Sequence, residues 1–343
     1  MMLFIRLLVI FLATVNVYTL DTDLSLNILG TAKLHSDTGA TTSIYILPKA
    51  DFVQELTDGM QLELDSKLNL YTHIRNDSTA DLDLYRLKLS LMMAQAEWRL
   101  GLQEIILGPS RMLKTLDWFG APGFLNPLKQ TPGVWSLLHR YYFMNDINVW
   151  FWGVYDFDDK EKNPENTPEF GGRIQVPFLG GETAISFNAI KTSSNAHNKK
   201  TSLALDGQWD IGVGLWFEAS ISGFFHNNST HEHDLIKSIT IGSDYTFSFG
   251  NGLYTIVEHK ILDEVIDFYN NKVDQFSYQA TVFHLSYPIT LMDNISAIGY
   301  VDWKYESYTQ SLGWERIYDL LVLGVNFRYT KYNTYELEVT LAY

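Results

Sequence analysis

The sequence predicts an all-β chain closed into a transmembrane antiparallel β-barrel of about 16 strands, within a range of roughly 14–18. Three observations carry that expectation. Long segments alternate apolar and polar residues with a period of two, short turns trade places with longer polar loops, and an apolar leader opens the chain. Residues 60–75, MQLELDSKLNLYTHIR, show the alternation most plainly. Met60, Leu62, Leu64, Leu68, Leu70 and Ile74 share one parity, while Gln61, Glu63, Asp65, Lys67, Asn69, Tyr71, His73 and Arg75 share the other. Successive strand side chains point to opposite faces, so this segment has an oily face and an ionisable one. Soluble strands run to about 5–6 residues, whereas a tilted strand of about 9–11 residues crosses a bilayer.

Composition narrows the classes. The chain has 343 residues and no cysteine, which excludes disulfides, thiol nucleophiles and Cys-based zinc sites. Acids outnumber bases 40 to 25, for a net charge of −15, and no basic stripe is present, so a nucleic-acid partner is not expected. Aromatic residues make up 14% of the chain. Past the leader no apolar run approaches the roughly 20 residues of a membrane helix. The leader itself, MMLFIRLLVIFLATVNVYTL, has a positive Arg6 and an apolar stretch from Leu7 to Val17. It reads as a secretory signal peptide over residues 1–20, with 21–343 forming the barrel.

The elements follow in order. Leu24, Leu26, Ile28, Ala32 and Leu34 alternate in a first strand, and a second runs from about Ser43 to Leu56. Thr57-Asp58-Gly59 is a hairpin turn into the strand at 60–75, and further tight turns are expected at Asn145-Asp146, Gly180-Gly181, Gly250-Asn251-Gly252 and Met292-Asp293-Asn294. Longer polar connections are expected at 158–168, 194–199, 226–234 and 268–273. Late strands keep the same code at 215–225, 239–247 and 321–329. Tyr, Trp and Phe recur near strand ends, as interfacial girdles require.

The ionisable parity marks a wet inner wall. Asp65, Lys67, Arg75, Arg86, Lys88, Glu97, Arg99 and Gln103 lie on three successive expected strands, and Arg140, Glu169, Arg173 and Gln175 continue the set. Charges inside a membrane protein are costly unless they face water or one another, and a barrel of about sixteen strands is wide enough for an aqueous channel. One segment breaks the rhythm. Residues 108–133, GPSRMLKTLDWFGAPGFLNPLKQTPG, hold four of the nine prolines and four glycines. Trp118, Phe119, Phe124, Leu125 and Leu128 need a place to pack, and the lumen offers one. The segment is expected to narrow the pore, with Arg111, Lys114, Asp117 and Lys129 setting its field, or else to cap the outer rim.

Five blocks in this region carry a resemblance: GLQEIILGPSRMLKTLDWF, NPL, GVWSLLHRYYF, NDINVWFWGVY and PEFGGRIQVP, within residues 101–177. They resemble blocks of a poorly characterised group of porin-like bacterial outer-membrane β-barrels. The resemblance implies an outer-membrane channel and assigns neither a substrate nor a catalytic residue. After the Trp-Phe pair the chain has GAPGFLNPLK where a more acidic stretch is expected, so no acidic site is carried over there. The last strand, residues 335–343, alternates and stops at an aromatic residue, which resembles the assembly signal of outer-membrane proteins. The partners implied are the barrel-assembly machinery through 335–343, outer-membrane lipid and lipopolysaccharide, and small solutes; a homo-oligomer fits by analogy alone.

No HExxH helix, P-loop or GxSxG elbow occurs, and Gly212-Val213-Gly214 lacks the rest of a dinucleotide fingerprint. Ser136 and His139 have opposite parity and pair poorly as a nucleophile and base. His226, His231, Glu232, His233 and Asp234 could ligate Zn²⁺ or Cu²⁺ but read as a solvated loop. Asp156, Asp158, Asp159 and Glu161 lack the Gly and terminal Glu of a calcium loop. The expectation is therefore a non-enzymatic barrel without cofactor or metal that passes small hydrophilic solutes. The alternatives are a non-conducting surface barrel plugged by 108–133 and a polymer export channel.

Overall fold

A computed structural model describes residues 20–37, 39–57, 59–74, 78–120, 133–155, 168–191, 199–225, 233–268, 272–332 and 334–343. Its first nine strands are β1 (Leu20–His35), β2 (Gly39–Thr57), β3 (Met60–Ile74), β4 (Ser78–Met92), β5 (Ala96–Gln103), β6 (Val134–Tyr142), β7 (Asn148–Tyr155), β8 (Pro168–Phe178) and β9 (Gly181–Lys191). The second nine are β10 (Lys199–Asp210), β11 (Gly214–Phe225), β12 (His233–Phe247), β13 (Leu253–Phe268), β14 (Lys272–Pro288), β15 (Asp293–Asp302), β16 (Ser307–Ile317), β17 (Val322–Thr330) and β18 (Tyr335–Ala342). Each pairs antiparallel with its sequence neighbours, as β1 with β2 and β17 with β18. The ring closes where Leu29–His35 of β1 lies against Ala342–Glu336 of β18. Closure leaves no free sheet edge in the wall, which is the condition for strands to span a membrane.

The described residues thus form eighteen strands, and the expectation of about 16 is corrected upward. Parity explains the barrel's two faces. Leu24, Leu26 and Leu34 on β1, Leu68 and Leu70 on β3, and Ile239 and Ile241 on β12 are all exposed, as a wall in contact with lipid requires. Their sequence neighbours point inward. One irregularity complicates the alternation: the β3–β4 register shifts between Lys67 and Leu68, because Tyr85 is an extra residue in β4. Outward residues there change from Leu82 and Leu84 to Leu87, Leu89 and Leu91.

At one end of the barrel every connection is short, whereas the other end mixes short connections with the long ones. Asp146 (φ 63°) and the pair Leu179 (φ 50°) and Gly180 (φ 76°) take left-handed conformations that let the strands reverse in a few residues. The turn expected at Met292-Asp293-Asn294 sits slightly earlier, since Asp293 already opens β15. Exposed Phe143, Phe178, Phe247, Phe249 and Tyr343 lie at this end, and Tyr155, Trp303, Tyr308 and Tyr335 lie at the other. The longer connections at 156–167, 192–198 and 226–232 fall outside the described residues, as does the leader at 1–19. The long loop expected at 268–273 is instead a short connection, because β13 extends to Phe268 and β14 already begins at Lys272.

Candidate functional site: a loop anchored across the lumen

β5 and β6 are adjacent in the sheet, yet thirty residues, 104–133, separate them in sequence. Of this excursion residues 104–120 and Gly133 are described. The chain turns inward. Ile105, Leu107, Leu116 and Phe119 are buried with Leu138, Trp152, Val154 and Ala204 of β6, β7 and β10. Phe119 meets Trp152 edge-on at 5.8 Å. Further along, Leu113 is buried with Ala280 and Val282 of β14. These wall partners lie on the inward parity, so the segment crosses the interior and turns part of the lumen into a packed core.

Two carboxylates on the far wall hold the loop. Glu218 of β11 accepts hydrogen bonds from the backbone N–H groups of Ser110 (2.8 Å), Thr115 (2.6 Å) and Leu116 (2.9 Å). Glu258 of β13 accepts those of Arg111 (2.7 Å), Met112 (3.0 Å) and Leu113 (2.6 Å), and also the Trp216 indole N–H (3.0 Å). Both glutamates are 0% exposed. An ionised carboxylate is acceptor-only, and every partner here is a donor. The remaining loop groups are matched in kind. Thr240 donates to the Leu113 carbonyl (2.7 Å), Lys260 donates to the Lys114 carbonyl (2.6 Å), and the Thr115 hydroxyl sits 2.8 Å from that of Ser238. Gly108 takes φ +72°, and a Cβ there would collide with the Glu218 carboxylate. The tight approach of loop to anchor therefore needs glycine.

The residues singled out in the sequence separate into three groups. On the loop, Arg111 pairs with Asp244 of β12 (2.6 Å) and lies 4.8 Å over Trp216, with its side chain still 47% exposed. Lys114 is half-buried and Asp117 exposed. Lys129 lies outside the described residues.

On β4–β8 the charges are locked in pairs. Arg86 bonds Glu104 at 2.6 Å, and Glu97 serves both Arg99 (2.5 Å) and Arg140 (4.0 Å). Arg140 also stacks 3.8 Å over Trp150. Arg173 is 7% exposed and makes a bidentate pair with Asp206 of β10 at 2.6 and 2.7 Å. This buried pair stiffens the wall.

On β2–β4 the charges pair through lysines rather than arginines. Lys88 lies 3.8 Å from Glu63 and 3.7 Å from Asp65, and Lys67 sits 5.9 Å over the Tyr85 ring. Lys49 pairs with Asp51 on the same inner face. Arg75 lies outside the described residues. A seam cluster continues this wall: Lys33 bonds Glu338 (3.3 Å), and Arg328 and His35 both bond Glu336 (3.1 Å each).

Sequence reasoning missed Glu218, Glu258, Thr240, Lys260 and Asp206 as site residues. The available signal was an isolated acid on an inward parity otherwise made of small or neutral residues, as Glu218 stands between Trp216 and Ser220. Ser136 and His139 do point to opposite faces: Ser136 is buried, while His139 stacks on Trp98 at 3.9 Å. Among the described residues no group of three or more His, Asp or Glu could hold a metal ion. The motifs at 156–161 and 226–232 lie outside the described residues.

A closed eighteen-strand barrel with an inward loop is the porin class of fold. No protein-family model matches the sequence, and no curated protein matches it. Solved structures do match in shape. The outer-membrane protein OpdK of Pseudomonas aeruginosa superposes with a TM-score of 0.60 at 7% identity, over 94% of this chain and 98% of its own. OccK11 (OpdR) of the same organism gives 0.58 at 11% identity, over 94% and 95%. An anion-selective porin from Comamonas acidovorans gives 0.54 at 10% identity, over 94% and 99%. The chain has the porin-like fold of these outer-membrane barrels.

Proposed function

We propose that this chain is a bacterial outer-membrane channel for passive diffusion of small hydrophilic solutes, narrowed by the loop 108–133. The observation that carries the reading is the anchoring of residues 110–116 to Glu218 and Glu258. Residues 105–116 pack and bond against β6, β7 and β10–β14, which supports an off-centre pore bounded by the loop and by the charged faces of β1–β4 and β17–β18. On that wall Lys33, Lys49, Lys67 and Lys88 alternate with Asp51, Glu63, Asp65 and Glu338, which supports weak discrimination by charge. The shape likeness to outer-membrane porins supports the location and the channel class. Lipid and lipopolysaccharide would meet the outward leucines, and the terminal strand 335–343 would be read by the assembly machinery.

Planar-bilayer recording of the purified, folded protein tests this. Discrete conductance steps are expected. A correctly folded barrel that stays silent would overturn the channel and favour the plugged surface barrel.

A further inference from the structure

Beside the loop, the inner wall of β7–β10 holds polar groups that are buried yet unmatched. A cavity of about 180 Å³ lies between Ile106, Gly108 and Pro109 of the loop and the wall residues Trp150, Arg173, Gln175, Glu182, Asp206 and Gln208. A second recess of about 480 Å³ opens at the short-turn rim, around Tyr142, Asn148 and Gly180, and shares Gln175 and Glu182 with the first. The two are therefore contiguous from the rim to the loop. Arg173 commits its terminal nitrogens to Asp206 and Ser186, while its buried Nε has no acceptor among the described residues. The Trp150 ring lies under the guanidinium groups of Arg140 and Arg173, at 3.8 and 5.5 Å, and its buried Nε1–H has no acceptor either. Native proteins rarely leave such donors unmatched. Acceptors stand at the same cavity: the Glu182 carboxylate, which takes the Gln175 amide N–H, and the amide oxygen of the exposed Gln208.

We propose that this recess is a binding subsite for a small, neutral, hydroxyl-rich solute of the sugar class. The class follows from the groups that await a partner. A hydroxyl both donates and accepts, so neighbouring hydroxyls of one ring can accept from the Trp150 and Arg173 N–H groups and donate to Glu182 and Gln208. Charged solutes fit worse. Asp206 already answers the Arg173 charge, so an anion meets Glu182 without gaining an unpaired cation. A cation cannot use the two unmatched donors at all. The subsite deepens the channel reading and rests on it for the solute's access to the lumen.

The test titrates glucose, glucuronate and glucosamine, one ring in neutral, anionic and cationic form, against the folded protein in mild detergent. Saturation transfer to the sugar, read by NMR, needs no conduction. Glucose is expected to bind, and the two charged rings at least about fivefold more weakly, since each adds a charge the recess leaves unanswered. Trp150→Phe keeps the ring and removes the N–H, and Gln208→Leu alters an exposed lumen position. Each is expected to weaken glucose binding about three- to tenfold, the loss of one hydrogen bond, with folding checked by heat-modifiable gel migration. No saturation transfer to glucose would overturn the proposal, as would unchanged binding by both folded variants or tighter binding of either charged ring. Bilayer recording separates this site from the channel itself. A barrel that binds glucose and carries no current overturns the channel and keeps the site; one that conducts and binds no glucose does the reverse.

Discussion

The inner faces of β11–β13 and of β2–β4 obey the same alternation and carry the same kinds of residue, yet they do opposite work. On β11 and β13 the acids Glu218 and Glu258 are fully removed from solvent, and their partners are loop backbone N–H groups and one indole. On β2–β4 the acids Asp51, Glu63 and Asp65 keep partial access to the lumen, and their partners are lysines. The difference teaches that an inward charge on a barrel strand has no fixed meaning. Covered by a loop it is an anchor; left uncovered it stays partly exposed and pairs with lysine.

Breaking the anchored side should have the largest effect. Glu218→Ala combined with Glu258→Ala leaves six backbone N–H groups and an indole N–H without acceptors, at about 1–3 kcal/mol for each donor that stays buried. The loop is expected to leave the wall, raising unit conductance about twofold or more in bilayer recording, while the barrel still folds. Next in size, Asp206→Ala strips Arg173 of its bidentate partner. Loss of one member of a buried pair costs about 3–5 kcal/mol, so the urea unfolding midpoint should fall while conductance changes little. A smaller effect is expected of Gly108→Ala, whose Cβ would press on Glu218 at a positive φ. The cost is about 1–3 kcal/mol, read as noisier open-channel current. The smallest belongs to the uncovered wall. Lys88→Glu removes a pair worth about 0–1 kcal/mol and sets a third acid beside Glu63 and Asp65. Stability should hold, and the reversal potential in a salt gradient should move toward cation preference.

How much of this was legible depends on sequence distance. The class and most strands could be read locally, because the period of two in segments such as 60–75 needs no partner to be seen. The strand number slipped because β5, β6 and β7 are short, at 8, 9 and 8 residues, and because the extra residue Tyr85 shifts the parity of β4. The loop 108–133 stood out by its prolines and glycines, but its anchors did not. Ser110 and Glu218 are 108 residues apart, and Met112 and Glu258 are 146 apart. Nothing in a local pattern says that an acid on one strand will receive the backbone of a loop so distant. The paired arginines show the same limit: Arg173 reads as one more inward charge until Asp206, 33 residues on, is seen to bury it.

The central claim, that the loop is held on the β11–β13 wall and thereby sets the pore, is tested most directly by fastening it there. The Thr115 and Ser238 hydroxyls are 2.8 Å apart, and the chain has no other cysteine to interfere. Thr115→Cys with Ser238→Cys, built into the Glu218→Ala/Glu258→Ala background, should form a disulfide visible by mass spectrometry. Oxidation should return the enlarged conductance to that of the unmodified protein, and reduction should release it again. A disulfide that forms yet leaves conductance at the enlarged value, or one that cannot form even with both glutamates restored, would contradict the account.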